Sequence, residues 1–289
     1  MTYLIAAILL ATSLFVVFRL FTRYNVDNFQ AIVINYIVAF GLGLLVSDIP
    51  PTFNDIITID WIPWAAIIGI TFVLVFYLFA LSSQKAGIAI TAVSSKMSVI
   101  IPVIMGFLIF NEKASLIQII GIILTLIAFV LILKKDKKDK INHKYLLLPI
   151  LIFFGNGIND TMMKHTQFSY IRDDREFMFF LTVMFFVALI VGLIIISISY
   201  IKKRRKISLA NIIWGSILGV INFYCTLFFL QGLNAIDVSV FMPIFNVSIV
   251  SLSAIIGFFI FKEKIKFINL IGLLIAVFAI LLITEFVVL

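Results

Sequence analysis

The sequence predicts an all-α integral membrane protein in which ten transmembrane helices form two inverted five-helix repeats. Three observations carry this: a composition too apolar for a soluble domain, ten runs long enough to cross a bilayer, and a 16-residue signature that recurs 151 positions later. Of 289 residues, 63% are hydrophobic and 12% charged, and the mean hydropathy is +1.23. Soluble domains hold roughly 45–50% apolar residues. The net charge of +8 comes from 22 Lys and Arg against 14 Asp and Glu, and the cations gather in short blocks between apolar runs. Such blocks are orientation signals at anionic lipid surfaces, so a lipid bilayer is the expected partner and nucleic acid is not. The single cysteine, Cys225, lies inside an apolar run, which excludes an intramolecular disulfide and a cysteine metal cluster.

A hydrocarbon core of about 30 Å takes roughly 20 apolar residues as helix, and each crossing must satisfy its own backbone because lipid offers no partner. The ten runs are Tyr3 to Phe21, Phe29 to Ser47, Ile62 to Ser83, Gly87 to Phe110, Ala114 to Leu133, Tyr145 to Met163, Phe177 to Tyr200, Asn211 to Leu230, Val238 to Phe261 and Phe267 to Val288. The first has no basic leader and no small-residue cleavage site at its end, so it is read as a retained helix rather than a signal peptide.

The connectors set the orientation. An acidic segment from Asp48 to Trp61 ends in Trp61-Ile62-Pro63-Trp64, tryptophans suited to a headgroup belt. KKDKKDKINHK, Lys134 to Lys144, divides the chain almost in half, Lys164 to Glu176 is mixed in sign, and Lys202 to Lys206 is purely basic. If the helices alternate, the connectors after odd-numbered helices hold 17 of the 22 cations, and those after even-numbered helices hold four, Lys113, Lys164, Arg172 and Arg175. Lys96, within a run, is the remaining one. That bias puts the odd-to-even connectors in the cytoplasm and both termini outside it, in a cell (inner) membrane.

The repeat is GFLIFNEKASLIQIIG, Gly106 to Gly121, aligned without gaps on GFFIFKEKIKFINLIG, Gly257 to Gly272. Its identities include Gly106/Gly257, Phe107/Phe258, Ile109/Ile260, Phe110/Phe261, Glu112/Glu263, Lys113/Lys264 and Gly121/Gly272. The chain therefore divides into a first five-helix repeat over 1–137, a basic linker over 138–144 and a second repeat over 145–289. Five is odd, so the second half enters the membrane from the opposite side. Inverted halves around a midplane site are an architecture of secondary transporters.

This doubled unit, each half closing in an apolar helix, a Glu-Lys turn and a glycine-bearing last helix, resembles the drug/metabolite transporter superfamily, specifically its EamA-like ten-helix members. The resemblance implies transport of a small molecule, often export, by alternating access, with the first, third and fourth helices of each half lining a central cavity. Two features depart from the family pattern. The charge bias puts the termini on the side opposite to the usual one, and the glycine that usually precedes the motif's glutamate is Asn111 here and Lys262 in the second half.

Lys96 lies about 4 Å along the helix axis from the centre of its run at 1.5 Å per residue. A lysine at that depth costs about 2.5–3.5 kcal/mol on insertion scales and should face a cavity or a partner, with Ala89 and Ala92 leaving its face open to close approach. At the repeat offset it corresponds to Val247, beside Asn246, so the second half carries an amide where the first carries a cation. Ser239, Pro243 and Asn246 share one face of the ninth helix, and Pro102 and Pro243 free backbone carbonyls that kink a helix or line water. In the sixth helix, Asn156 and Asp160 stand four apart, with Asn159 between them and Gly155 and Gly157 leaving room for approach. Asp160 is the candidate counter-ion for Lys96 or the coupling carboxylate, against the plainer reading of an interfacial aspartate near a helix end. Asn222, Tyr224 and Thr226 in the eighth helix and Thr71 and Tyr77 in the third are candidate contacts or packing groups. The candidate substrate-binding set is Lys96, Asn246, Asn156, Asn222 and Tyr224. Glu112 and Glu263 are read as helix-start and interface charges.

His143 and His165 fall in loops with no zinc-protease pattern, and no Walker A sequence or nucleophile elbow occurs. The sequence thus points away from an enzyme and from an ATP-driven pump, and implies no cofactor and no metal. The leading expectation is a secondary active transporter, exporter or exchanger, of a small organic metabolite. A lipid-carrier or glycolipid flippase of the same fold is the alternative, followed by a membrane scaffold or receptor. A homodimer is compatible with the sequence.

Overall fold

The computed structural model describes residues 2–46, 59–109, 115–133, 145, 147–203, 208–235, 238–263 and 266–283. Among the described residues the chain forms eleven helical segments and no strand. They are α1 (Thr2–Arg23), α2 (Asn28–Val46), α3 (Ile62–Lys85), α4 (Ile88–Met97), α5 (Ile100–Ile109), α6 (Leu116–Leu133), α7 (Leu147–Tyr170), α8 (Asp174–Lys203), α9 (Leu209–Ala235), α10 (Val238–Phe259) and α11 (Phe267–Ile283). Nine of the ten apolar runs correspond to one helix each. The fourth is broken into α4 and α5. The Glu112-Lys113 turn and most of the acidic and basic connectors lie outside the described residues.

Capping explains several boundaries. Asp27 accepts the N–H groups of Phe29 at 3.0 Å and Gln30 at 3.1 Å at the start of α2, and Asp173 accepts that of Glu176 at 2.7 Å at the start of α8. Such side chains satisfy donors that have no partner within the helix. α7 runs to Tyr170, beyond the apolar stretch that ends near Met163. His165, expected in a loop, is therefore helical, its ring 4.9 Å from that of Trp64. Trp61 is 1% exposed, packed on Phe179 and Phe180, with its indole N–H on Glu176 at 3.0 Å.

Packing divides the chain into two compact units, each built from segments of both sequence halves. The first comprises Met1–Arg19, Leu78–Ile158 and Cys225–Leu289. Its core joins Val93, Met97 and Ile100 to Ala128 and Ile132 of α6, Phe153 of α7, Val250 of α10, and Ala276 and Ile280 of α11. The second comprises Leu20–Tyr77 and Asn159–Tyr224. There α2 lies close against α8, where a Cβ on Gly43 would stand 2.9 Å from Thr182 Oγ1. Tyr36 is fully buried between the rings of Phe76 and Phe185.

Within the first unit, α6 and α11 meet through their glycines. A Cβ on Gly121 would stand 3.0 Å from Ile283 N and 3.1 Å from Leu282 Cβ, and one on Gly272 would stand 2.9 Å from both Ile132 N and Leu131 Cβ. Shifting Gly121 up by the repeat offset and Ile283 and Leu282 down by it turns the first contact into the second, Gly272 with Ile132 and Leu131. The helix starts follow the same rule: the N–H of Ser115 meets Gln118 Oε1 at 3.1 Å, and that of Lys266 meets Asn269 Oδ1 at 3.2 Å. The described second parts of the two signature segments, 115–121 and 266–272, thus adopt equivalent local structures.

Three residues past the end of α10, Lys262 lies in the left-handed region, φ 52°, and the N–H of Glu263 returns to Gly257 O at 2.9 Å. A side chain costs roughly 1–2 kcal/mol there, so this conformation favours glycine. Lys262→Gly is expected to raise the thermal stability of the detergent-solubilised protein by about 1 kcal/mol. An unchanged or lowered unfolding temperature would contradict it.

Candidate functional site

The break in the fourth span follows from one residue. Pro102 has no N–H to give, and the carbonyl four residues back belongs to Ser98. Ser98 O instead takes the N–H of Ile101 at 2.9 Å, so α4 ends at Met97 and α5 begins at Ile100 with Pro102 in its first turn. A proline is tolerated there because the first-turn donors have no helical partner. α7 closes over the interruption: the amide of Asn156 donates to Ser98 Oγ at 2.9 Å and to Ser95 O at 3.3 Å. The next residue, Gly157, has no side chain to hold off Ile101 of α5, whose atoms a Cβ would meet.

Lys96 falls in the last turn of α4, where the exposed carbonyl ends favour a cation. It is half-buried, and its Nζ stands 4.7 Å from the ring centroid of Phe245 on α10, within cation–π range. Ala89 and Ala92 are buried, as expected of small residues at a helix contact. Asn246, next to Phe245, is 5% exposed. Ser94 Oγ is buried with no hydrogen-bond partner. Lys96, Asn156 and Asn246 thus belong to one compact unit, with Asn156 fixed to the residues on either side of Lys96. The side chains of Ser239 and Pro243 lie outside those described.

The remaining candidates belong to the second unit. Asp160 is exposed and stands ten residues before the end of α7, three residues before the apolar stretch of that helix ends at Met163. Beside it Asn159 is buried and accepts the Thr71 hydroxyl. Asn222 is buried and donates to Asn35 Oδ1 at 3.3 Å, while Tyr224 is 37% exposed. Among the described residues no three His, Cys, Asp or Glu side chains converge on a point a metal could occupy.

Three features were not read from the sequence. One is the Asn156 bridge, another the aromatic seat for Lys96 on Phe245, and the third is Glu263, whose carboxylate sits on the start of α4. Only the first had a signal, Pro102 four residues after Ser98, and it marked the break but not its partner.

The family model of the EamA-like transporter family matches residues 1–134 and again 143–285. The chain belongs to the EamA-like transporter family. That family is part of the drug/metabolite transporter superfamily, so this EamA-like chain is a multi-pass membrane protein of the transporter type. An uncharacterized protein of Haemophilus influenzae is 28% identical over 287 residues, covering 96% of this chain and 95% of its own length. A crystal structure superposes with a TM-score of 0.60 at 13% identity, over 97% of this chain and 98% of that one, which shows a shared fold. Within the EamA-like frame, the interrupted fourth span with Lys96 at its break is the feature with chemistry to offer.

Proposed function

We propose that the protein is a secondary active transporter of a small, anionic or carboxylate-bearing organic metabolite, working as an exporter or exchanger in the cell membrane. The observation that carries this is the break at Ser98–Val99 with Lys96 in the turn before it. Discontinuous helices place unpaired backbone groups and half-helix dipoles at the substrate sites of many transporters. Lys96 lies four residues before α5 begins at Ile100, and a lysine ammonium and the positive N-terminal end of a helix each favour a negative group. Asn156 holds the broken segment in shape, and Asn246 is a candidate hydrogen-bond partner for the bound molecule.

Asp160 is proposed as the coupling or counter-ion carboxylate of the cycle, because it is an exposed acid four residues from Asn156 and within the apolar part of α7. Asn222 and Tyr224, in the second unit, are themselves proposed as substrate-contacting residues. Inversion of the two halves is supported by the reciprocal Gly121 and Gly272 contacts. The positive charge bias favours both termini outside the cytoplasm.

The test is uptake into proteoliposomes of a panel of labelled carboxylates and amino acids. Lys96→Ala is expected to cut transport by about tenfold or more, the loss of one charge-assisted contact in a desolvated site, while Lys96→Arg keeps part of it. Transport unchanged in Lys96→Ala would remove Lys96 from the site.

A further inference from the structure

Glu263 is the residue whose surroundings go furthest beyond its sequence reading. It follows α10, and the left-handed Lys262 and the Glu263 N–H to Gly257 O bond turn its side chain toward α4. Its Oε1 accepts the N–H of Ile88 at 2.7 Å and its Oε2 that of Ala89 at 3.4 Å. Ile88 opens α4, and Gly87 before it, φ 109°, makes no side-chain cap of its own. A carboxylate 175 residues away in sequence thus serves as the N-terminal cap of the half-helix that carries Lys96.

The cradle is built from absences. A Cβ on Gly87 would stand 2.8 Å from Glu263 Oε2 and one on Gly257 2.6 Å from it, so both positions must lack a side chain for the carboxylate to seat. Charged groups around it come from few elements. Arg19 of α1 lends its positive charge while its guanidinium donates to Ser83 O, at 3.2 Å, and Gln84 O in the last turn of α3. Lys85, ending α3, stands over the Tyr145 ring, Nζ 5.7 Å from its centroid. α4 presents two backbone N–H groups and α10 presents Gly257, while in sequence Lys262 and Lys264 flank Glu263 and Lys266 follows three residues on, Lys264 lying outside the described residues.

Burial pushes the Glu263 carboxyl above the ordinary carboxylate value, outweighing the two N–H bonds and Arg19, which pull it down. The folded protein therefore binds this proton more tightly than the unfolded chain. Stability from this group is fully present below the ordinary carboxylate range and is lost as pH rises through the raised pKa. The N–H bonds of Ile88 and Ala89 lower this pKa, so drawing α4 away from a carboxyl that stays buried raises it further, and protonation favours that local separation although it favours the fold as a whole.

We propose that Glu263 is a proton-binding positioning residue for α4. Ionised, it holds the start of the Lys96 half-helix against the α10–α11 turn; protonated, it loosens that hold. Coupling of this motion to transport rests on the function proposed above, whereas the hold itself does not.

The experiment is hydrogen exchange of the full chain in lipid nanodiscs, read by mass spectrometry on peptides covering Ala86 to Ala92 between about pH 4 and 8 and corrected for intrinsic rates. Protection of Ile88 and Ala89 is expected to fall about threefold or more as pH is lowered through the carboxyl titration. Glu263→Gln should abolish that pH dependence. Arg19→Gln, which removes a charge that lowers the pKa, should move the midpoint upward. Gly257→Ala, which displaces the carboxylate without deleting it, should lower protection at the high-pH end. A flat wild-type profile, the same titration in Glu263→Gln, or a midpoint moved downward by Arg19→Gln would each overturn the proposal. The titration is read without substrate, so its presence in a protein that transports nothing would remove the transporter reading and leave the latch standing.

Discussion

Valine at Gly272 is expected to destabilise the protein by about 3 kcal/mol, near the top of the usual range for overpacking. A Cβ at Gly272 would stand 2.9 Å from Ile132 N, and backbone cannot yield as a flexible side-chain end can. Helix propensity favours valine over glycine by only a few tenths of a kcal/mol and does not offset this. Gly121→Val should cost a similar amount, because its added carbon meets Ile283 N at 3.0 Å through the reciprocal contact. Both follow from thermal unfolding in detergent with size-exclusion monitoring. The two changes press the same helix pair apart, so the double variant should cost less than the sum of the singles. Tolerance of valine at one position and not the other would break the equivalence of the two contacts.

That contact shows why the fold was legible in the sequence. Membrane helices announce themselves through long apolar runs, and the glycines of the signature were visible as repeated letters before their role in packing was known. The broken span was only half legible. Pro102 marked a disturbance, and the consequence for Ser98 follows from counting four residues back, yet the apolar run reads as one crossing because hydropathy is blind to a missing N–H.

The site was less legible still, because its partners are distant in sequence and apolar or uncharged in type. Phe245 is one of 31 phenylalanines, and nothing in its neighbourhood distinguishes it until Lys96 Nζ is found over its ring. Glu263 was visible as part of a motif, but its task depends on the two cradle glycines, one of them outside the repeat. Asn222 carried a polar signal equal to that of Asn156, and the two differ in what they hold. Asn222 meets Asn35 in a helix–helix contact, whereas Asn156 meets the groups exposed by the break.

Pro102→Ala separates stability from function with opposite signs. Alanine restores an N–H opposite Ser98 O, which accepts the tighter bond from Ile101 at 2.9 Å. A helix running unbroken through Ser98 and Val99 becomes accessible, and replacing proline by alanine inside such a helix favours it by up to about 3 kcal/mol. The unfolding temperature should therefore rise. The same change withdraws the end of α4 that favours Lys96 and the start of α5 beside it, and it turns Ser98 relative to Asn156. Transport in proteoliposomes should fall, and hydrogen exchange at Ser98 and Val99 should slow as the helix closes. Slower exchange with transport intact would show that the break is a packing feature without a part in function. A fall in both stability and transport would instead mean that the Asn156 bridge is worth more than the restored helix bond, making α7 rather than Pro102 the element that keeps the span open.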